Sequence, residues 1–488
     1  MKLFKFRGGV HPEENKHLSA DKPIRTLPLP ARFQVPVQQH VGLPAVPIVK
    51  VGQAVLKGQL LARGQGAVSA PVHVPSSGTV VAIGDSPAPH ASGLPVLTIT
   101  IETDGEDRWI DSGDLPDPFE LDPEDVALRV GAAGIVGMGG ANFPTGVKLS
   151  KARQAKIHTL VINGAECEPY MTCDDRLMRE RAGQIVDGIR IMLHALQAKH
   201  AMIAIEDNKP EAAAAMAAAC QGCPNMEVVT LPTRYPTGSA KQLTQLVTGL
   251  EVPAGGRGTD TGVLVNNVGT AQAVQQALRH GRPMVSRIVT VTGGAVPDPQ
   301  NLEVPIGTPV AELLTFCGAS LPDIARLLMG GPMMGQPLPS IHVPVVKGTN
   351  GILALTAREL RPDISPSPCI RCGRCVDACP MSLMPLEIVK RAHHEDFQGA
   401  LNFGLIDCLA CGSCAYVCPS NIPLVQYIEF ARGELEVQQR AEQKAKETRR
   451  LMEQRKARLT RQERASAEAA ARRQADKKKA REQADAGA

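Results

Sequence analysis

Cys369-Ile-Arg-Cys372-Gly-Arg-Cys375-Val-Asp-Ala-Cys379-Pro380 is answered further on by Cys408-Leu-Ala-Cys411-Gly-Ser-Cys414-Ala-Tyr-Val-Cys418-Pro419. Each half is the C-x2-C-x2-C-x3-C-P run that binds a cubane iron–sulfur cluster. A tight loop lets three cysteines reach three corners of one cube. The fourth, just before a proline, points to the other cube. The spacing therefore assigns Cys369, Cys372, Cys375 and Cys418 to one [4Fe-4S] cluster, and Cys408, Cys411, Cys414 and Cys379 to a second. Paired C-x2-C runs also suit tetrahedral zinc. Zinc needs only four ligands per site, however, and gives no reason for the duplicated proline. The stretch implies transfer of single electrons.

Around it lies a chain of 488 residues, long enough for about three domains or more. A hydrophobic fraction of 43% supports real cores, and a formal charge of +4 leaves no nucleic-acid footprint. Aromatic residues at 3% argue against base stacking on nucleic acid. Eight of the 13 cysteines sit in the two runs, and the rest make no disulfide framework. Thiolate clusters point to a reducing cytoplasm. Met1-Lys-Leu-Phe-Lys-Phe-Arg-Gly-Gly shows no apolar signal region, and no run of eighteen apolar residues is present. Any membrane role is expected to be peripheral.

Residues 1–30 read as an extended arm, with His11 and His17 in solvated loop. Residues 31–103 are short β pieces, evenly punctuated by glycine and proline. They resemble the barrel-sandwich fold of biotinyl and lipoyl carriers. The turn Val74-Pro-Ser-Ser-Gly78 lacks a carrier lysine, which predicts a structural or docking module. Residues 104–121 form an acidic linker. A helix then begins, with Asp122 as N-cap, Pro123 at the first position, and Glu124 and Asp125 in the first turn.

Residues 122–285 alternate strand and helix, which predicts an α/β layer with a mainly parallel sheet and ligands at the strand C-terminal ends. Three loops fall there. Gly137-Met-Gly139-Gly140-Ala-Asn-Phe143-Pro-Thr-Gly-Val-Lys148 offers backbone amides and a lysine to a phosphate, or is a glycine-rich turn. Asn163-Gly-Ala-Glu166-Cys-Glu168-Pro offers carboxylates to ribose hydroxyls or an amide, or is a surface acidic loop. Asn266-Asn267-Val-Gly-Thr270 offers side-chain amides to the edge of a flavin ring, or is a helix start capped by Thr270.

Together with Tyr235-Pro-Thr-Gly238, these loops resemble the flavin- and NADH-binding subunit of respiratory complex I and related diaphorases. The resemblance implies that Gly137, Gly139, Gly140, Lys148, Asn163, Glu166, Asn266, Asn267 and Thr270 hold FMN, and that Phe143 and Glu168 face NADH. Met138 stands where that family commonly has arginine, and Ser239-Ala240 replace a pair of glutamates. Both changes remove charge near the cofactors. Residues 286–360, with Gly330-Gly-Pro-Met333-Met334-Gly335, resemble the β-grasp-like SLBB module that follows the flavin domain in that family; Met333 and Met334 read as packing.

Residues 361–430 form the double-cluster ferredoxin-type domain. Residues 431–488 are a charged tail, rich in Ala, Glu, Gln, Lys and Arg, expected as a solvated helix or a disordered extension. The whole order of modules is similar to the C-subunit family of the Rnf ion-translocating electron-transport complexes. That likeness implies a peripheral electron-input subunit on the cytoplasmic face of the bacterial inner membrane. Its partners would be membrane-embedded subunits that carry the ion, a ferredoxin-like electron carrier, and NADH or NAD, with no nucleic acid. Two other layouts remain compatible: a soluble cobalamin-reductase-like enzyme, and a cluster-only electron wire without flavin turnover. No catalytic acid, base or nucleophile is expected.

Overall fold

The computed structural model describes residues 4–360 and 365–485. The chain forms two compact units, Met1–Leu386 with Ile406–Val425, and Glu387–Leu405 with Gln426–Ala488.

In the first unit, the strands Arg32–Pro36, Pro95–Thr103, Gly78–Pro87 and Ala54–Val55 make an antiparallel sheet, beside a three-stranded sheet of Val46–Pro47, Leu60–Arg63 and Val72–His73. In the first strand Phe33 and Val35 are buried while Arg32 is exposed, the alternation of a sheet with one dry face. The expected linker is bound at its start. Lys57 N donates to Arg108 O at 2.8 Å, Ile110 N donates to Lys57 O at 2.9 Å, and the Lys57 ammonium lies over the Trp109 ring at 5.0 Å.

The α/β layer starts with helix α1 (Pro123–Ala132). Asp122 stands at its N-cap but makes no side-chain cap bond, contrary to expectation. The first-turn Glu124 reaches outward instead, accepting from Ser150 Oγ at 3.0 Å and Arg153 Nη1 at 3.3 Å. Helices α2 (Thr145–Gln154), α3 (Cys173–Leu196), α4 (Pro210–Ala219), α5 (Ala240–Thr248) and α6 (Val268–His280) follow. The sheet order is Met226–Leu231, His200–Glu206, Thr159–Gly164, Val263–Asn267, with every pair parallel. The Thr159 strand is buried almost throughout, as a strand covered on both faces must be. Helices α3 and α6 cross closely at Gly188, where a Cβ would lie 1.9 Å from Ala271 O. Helix α3 breaks at Arg181, whose guanidinium pairs with Glu303 at 2.5 Å.

The third module is a mixed six-stranded sheet, in the order Arg25–Thr26, Gln300–Pro305, Ser286–Thr292, Gly351–Leu355, Arg326–Met329, Gln336–Pro337, with helix α7 (Val310–Phe316) against it. Its edge strand, Arg25–Thr26, comes from the N-terminal arm. That arm is packed rather than loose. Phe4 N donates to Leu246 O at 3.0 Å, and Val10 and Tyr235 exchange backbone bonds at 2.8 and 3.0 Å.

In the second unit the Phe397 and Phe430 rings meet edge to face at 5.9 Å, and Arg432 Nε donates to Leu405 O at 3.2 Å. The charged tail is helical. The Leu424–Asp485 helix runs for 62 residues, about 93 Å at 1.5 Å per residue. From Glu436 to Gln483 every side chain is exposed.

Candidate cofactor site

The three loops meet at the C-terminal edge of the parallel sheet. Met138 N donates to Thr270 Oγ1 at 3.0 Å, tying the glycine loop to the start of α6. Asn267, not Thr270, caps that helix: its Oδ1 accepts from Gly269 N at 2.8 Å. Its Nδ2 donates to Asp174 Oδ2 at 2.6 Å. Gly139 lies against Asn267, while Gly140 has a φ of +103° and faces open space. Gly137 N donates to Phe143 O at 2.9 Å, which closes the loop, and the half-buried Phe143 ring follows.

Lys148, from α2, donates to Val265 O and, at 3.1 Å, to Asn266 Oδ1. Burial pushes its ammonium down to about 8. Asn266 is 3% exposed, and its Nδ2 has no partner. Asn163 spans two loops, with Nδ2 donating to Gly238 O at 2.8 Å and Oδ1 accepting from Ala165 N at 3.0 Å.

Glu166 has a left-handed φ of 42°, a conformation that costs on the order of 1–3 kcal/mol unless its surroundings impose it. They do so from both ends. Its carboxylate accepts from Asp174 N at 2.7 Å and Asp175 N at 3.1 Å, at the start of α3. Its carbonyl accepts from Lys16 Nζ at 2.8 Å. Lys16 also donates to Glu168 O at 2.9 Å and Met171 O at 2.6 Å. Beside this loop, burial and then the Glu166 charge push Asp174 up to about 7.

Glu168, expected toward a nicotinamide, has its Oε1 on two backbone amides, Met333 N at 2.7 Å and Met334 N at 3.0 Å. Burial raises its carboxyl above the usual range, against the pull of those amides. Met333 and Met334 thus contribute through their backbone. The Met333 side chain also packs with Val10, Tyr235, Ala378 and Cys411.

The two cysteine loops share a backbone design. Arg371 and Ala410 occupy equivalent places and are left-handed, with φ of 55° and 52°. Their amides reach Cys369 Sγ and Cys408 Sγ, both at 3.4 Å. Gly373 and Gly412 then begin short helices with φ of 78° and 80°. Thiols of the two loops lie near one another. Burial raises Cys375, and Cys369 and Cys418 add to it. Burial raises Cys379, with Cys408 and Cys411 adding to it. Burial, then Cys408, Cys411 and Cys379, push Cys414 up to about 12. Such crowding of thiols opposes their ionisation in the bare protein, and iron would relieve it. The sets differ in exposure: Cys369 and Cys372 are exposed, whereas Cys379, Cys411 and Cys414 are buried.

Four family models match this chain: an RnfC barrel sandwich hybrid domain over residues 4–106, the Nuo51 FMN-binding domain over 130–276, an SLBB domain over 288–337, and a 4Fe-4S dicluster domain over 368–422. The C subunit of the ion-translocating oxidoreductase complex of Rhodobacter capsulatus is 53% identical over 440 residues, covering 90% of this chain and 85% of that one. This chain belongs to the RnfC family. The RnfC relative of Pseudomonas aeruginosa is 51% identical over 94% of this chain and 59% of its own length, and that of Serratia proteamaculans 47% over 95% and 66%. A solved NAD+-reducing [NiFe]-hydrogenase in its H2-reduced state aligns with 19% identity and a TM-score of 0.46, over 67% of this chain and 64% of that one.

An FMN-binding domain and a dicluster domain make FMN and two [4Fe-4S] clusters the cofactors of this RnfC chain. The residues fit both. The unpartnered Asn266 amide, the buried Lys148 and the open Gly140 edge suit a polar planar ring with a phosphate. The amide-to-sulfur contacts, the four neighbouring thiols Cys379, Cys408, Cys411 and Cys414, and the neighbouring Cys369, Cys375 and Cys418 suit two cubes. Sequence reasoning missed Lys16, Asp174 and Gln242. Gln242 Nε2 donates to Pro380 O at 3.0 Å, just after the Cys379 ligand position. A lone lysine in a polar arm has no local pattern that could have marked it.

Proposed function

We propose that this chain is the peripheral electron-input subunit of a membrane-bound ion-translocating oxidoreductase, working between NADH and a ferredoxin-like carrier. Membrane-embedded partners would move the ion, with this subunit on the cytoplasmic face of the inner membrane. Among the described residues no helix is long and apolar enough to cross a membrane. When bound, FMN supplies the exchange between a two-electron hydride and single electrons, and the clusters take those singly.

The protein's share is positioning. Gly137, Gly139, Gly140, Lys148, Asn163, Glu166, Asn266, Asn267 and Thr270 would hold FMN, and Phe143 would face NADH. Glu168 would do so only by leaving the Met333 and Met334 amides. Cys379, Cys408, Cys411 and Cys414 would hold the inner cluster; Cys369, Cys372, Cys375 and Cys418 the outer one.

The observation that carries this reading is the contact between flavin domain and cysteine loop: Tyr235 Oη donates to Cys411 O at 2.6 Å. Cys411 packs beside Tyr235, while Cys369 and Cys372 are exposed, which supports an inner and an outer cluster. The test is anaerobic protein with cofactors retained. NADH should bleach the flavin and reduce both clusters by optical and paramagnetic spectroscopy. Eight irons with no flavin bound, and no response to NADH, would make the chain a wire fed by another subunit.

A further inference from the structure

Tyr235 is one of only four tyrosines and is 2% exposed. Its ring packs with Val10, Ala378 and Cys411, with Cys167 and Met333 at the edge. Three parts of the chain converge on it. Its backbone is bonded in both directions to Val10 of the arm. The arm's Gly9 N donates to Ala378 O at 2.9 Å, next to Cys379. Its hydroxyl donates to the carbonyl of Cys411, with both groups buried. Gly412, the next residue, abuts Met333 O.

We propose that Tyr235 is a positioning residue for the inner cluster. Its hydroxyl fixes the Cys408–Cys414 loop against the flavin domain, and so sets both that cluster's reduction equilibrium and its coupling to the flavin. The inference rests on the two-cluster reading above. The physical link is short. The Cys411 carbonyl belongs to the peptide that follows a ligand cysteine, and the loop's own groups reach its sulfurs: Ala410 N donates to Cys408 Sγ at 3.4 Å, and Cys411 Sγ donates to Ser413 Oγ at 3.4 Å. Hydrogen bonds to sulfur and solvent access tune a cluster's potential. Releasing the carbonyl lets that loop shift and changes both. No side chain of the flavin domain holds the Cys369–Cys375 loop in this way among the described hydrogen bonds, so the outer cluster is an internal control.

The experiment is Tyr235→Phe in the full chain with cofactors retained, titrated with dithionite and followed by paramagnetic resonance. Flavin-to-cluster transfer is then timed after mixing with NADH. The expected result is eight irons retained, an unchanged outer-cluster signal, and an altered inner-cluster signal. Its reduction equilibrium should move by up to about tenfold, the weight of one buried hydrogen bond, or 59 mV for one electron. Flavin reoxidation should slow by a similar factor. Unchanged signals and rate for the inner cluster would overturn the proposal. Should Tyr235→Phe lose inner-cluster iron, Val10→Ala decides, because it thins the same packing and keeps the hydroxyl. Retention of iron and potential in Val10→Ala supports the hydroxyl's role; equal loss reduces Tyr235 to packing and overturns it. Wild-type protein with fewer than eight irons would defeat the two-cluster reading itself. Absence of flavin alone would leave the dithionite titration as the test of Tyr235.

Discussion

Replacing Glu168 with alanine separates two roles that the sequence and the structure assign differently. In the fold, one carboxylate oxygen holds the amides of Met333 and Met334, and the side chain lies over Gly331 so closely that a Cβ there would meet Glu168 Cγ at 2.3 Å. Glu168→Ala leaves both donors without an acceptor. Met334 is 55% exposed, so water can replace its partner. Met333 is half-buried, and a dry amide left unpaired costs about 1–3 kcal/mol. Removing a carboxyl whose burial already disfavours its charge returns part of that cost. A net loss of about 2 kcal/mol for the Gly330–Gly335 turn is expected, or roughly 30-fold faster opening at 1.4 kcal/mol per decade. Hydrogen exchange followed by mass spectrometry on peptides covering 326–337 reads this without cofactors. Glu168→Gln keeps an acceptor and should fall between. If exchange in the turn is unchanged while the KM for NADH rises several-fold, the carboxylate has left the turn for the nucleotide and the tether argument is wrong.

Three more outcomes follow from the geometry. Cys379→Ser should remove the same paramagnetic signal as Cys411→Ser, and Cys418→Ser the same one as Cys375→Ser; a match of Cys379→Ser with Cys375→Ser would sink the crossed ligation. For Asp174, burial and then Glu166 lift the carboxyl from 3.8 to about 7, so the native state binds the extra proton, and this group's contribution to stability falls as pH rises from about 4 to 7. Asp174→Asn should flatten that slope in urea midpoints taken across the window; parallel slopes would count against the assignment. Gly188→Ala forces a Cβ onto Ala271 O at 1.9 Å and should cost about 1–3 kcal/mol by overpacking. A denaturation midpoint equal to wild type would mean that the α3–α6 crossing yields to an added methyl group.

The cysteine runs were legible because their chemistry is local. Proline, spacing and duplication all lie within about fifty residues, the stretch that the dicluster domain matches. The parallel sheet was legible for a similar reason, since a strand such as Thr159–Gly164 shows its double burial in its composition. What escaped was long-range polar partnering. Nothing around Lys16 announces three carbonyls some 150 residues away. Thr270 looked like a cap, but Asn267 is better placed for Gly269 N, which frees the threonine hydroxyl for Met138. Met333 and Met334 read as packing by side-chain type, yet their backbone amides are what Glu168 needs.

The buried charges around the Asn163–Met171 loop have a physical rationale in the function. Lys209 and Glu206 pair at 2.9 Å with side chains 1% and 0% exposed, and Lys209 also donates to Ala165 O at 2.8 Å. With Lys16, two ammonium groups therefore hold the carbonyls of residues 165, 166, 168 and 171. Desolvating such groups is expensive, and a buried pair is a weak source of net stability. An apolar packing of this loop would serve the fold at least as well. It would not serve electron transfer, in which net charge appears and disappears in a dry site. There, dipoles and charges already fixed in place avoid reorganisation at the moment of transfer. The same reasoning accounts for a left-handed Glu166 clamped from both ends and for a tyrosine hydroxyl spent on a cluster-loop carbonyl. Electron transfer can require a rigid polar frame, and the frame here is assembled from residues far apart in the chain.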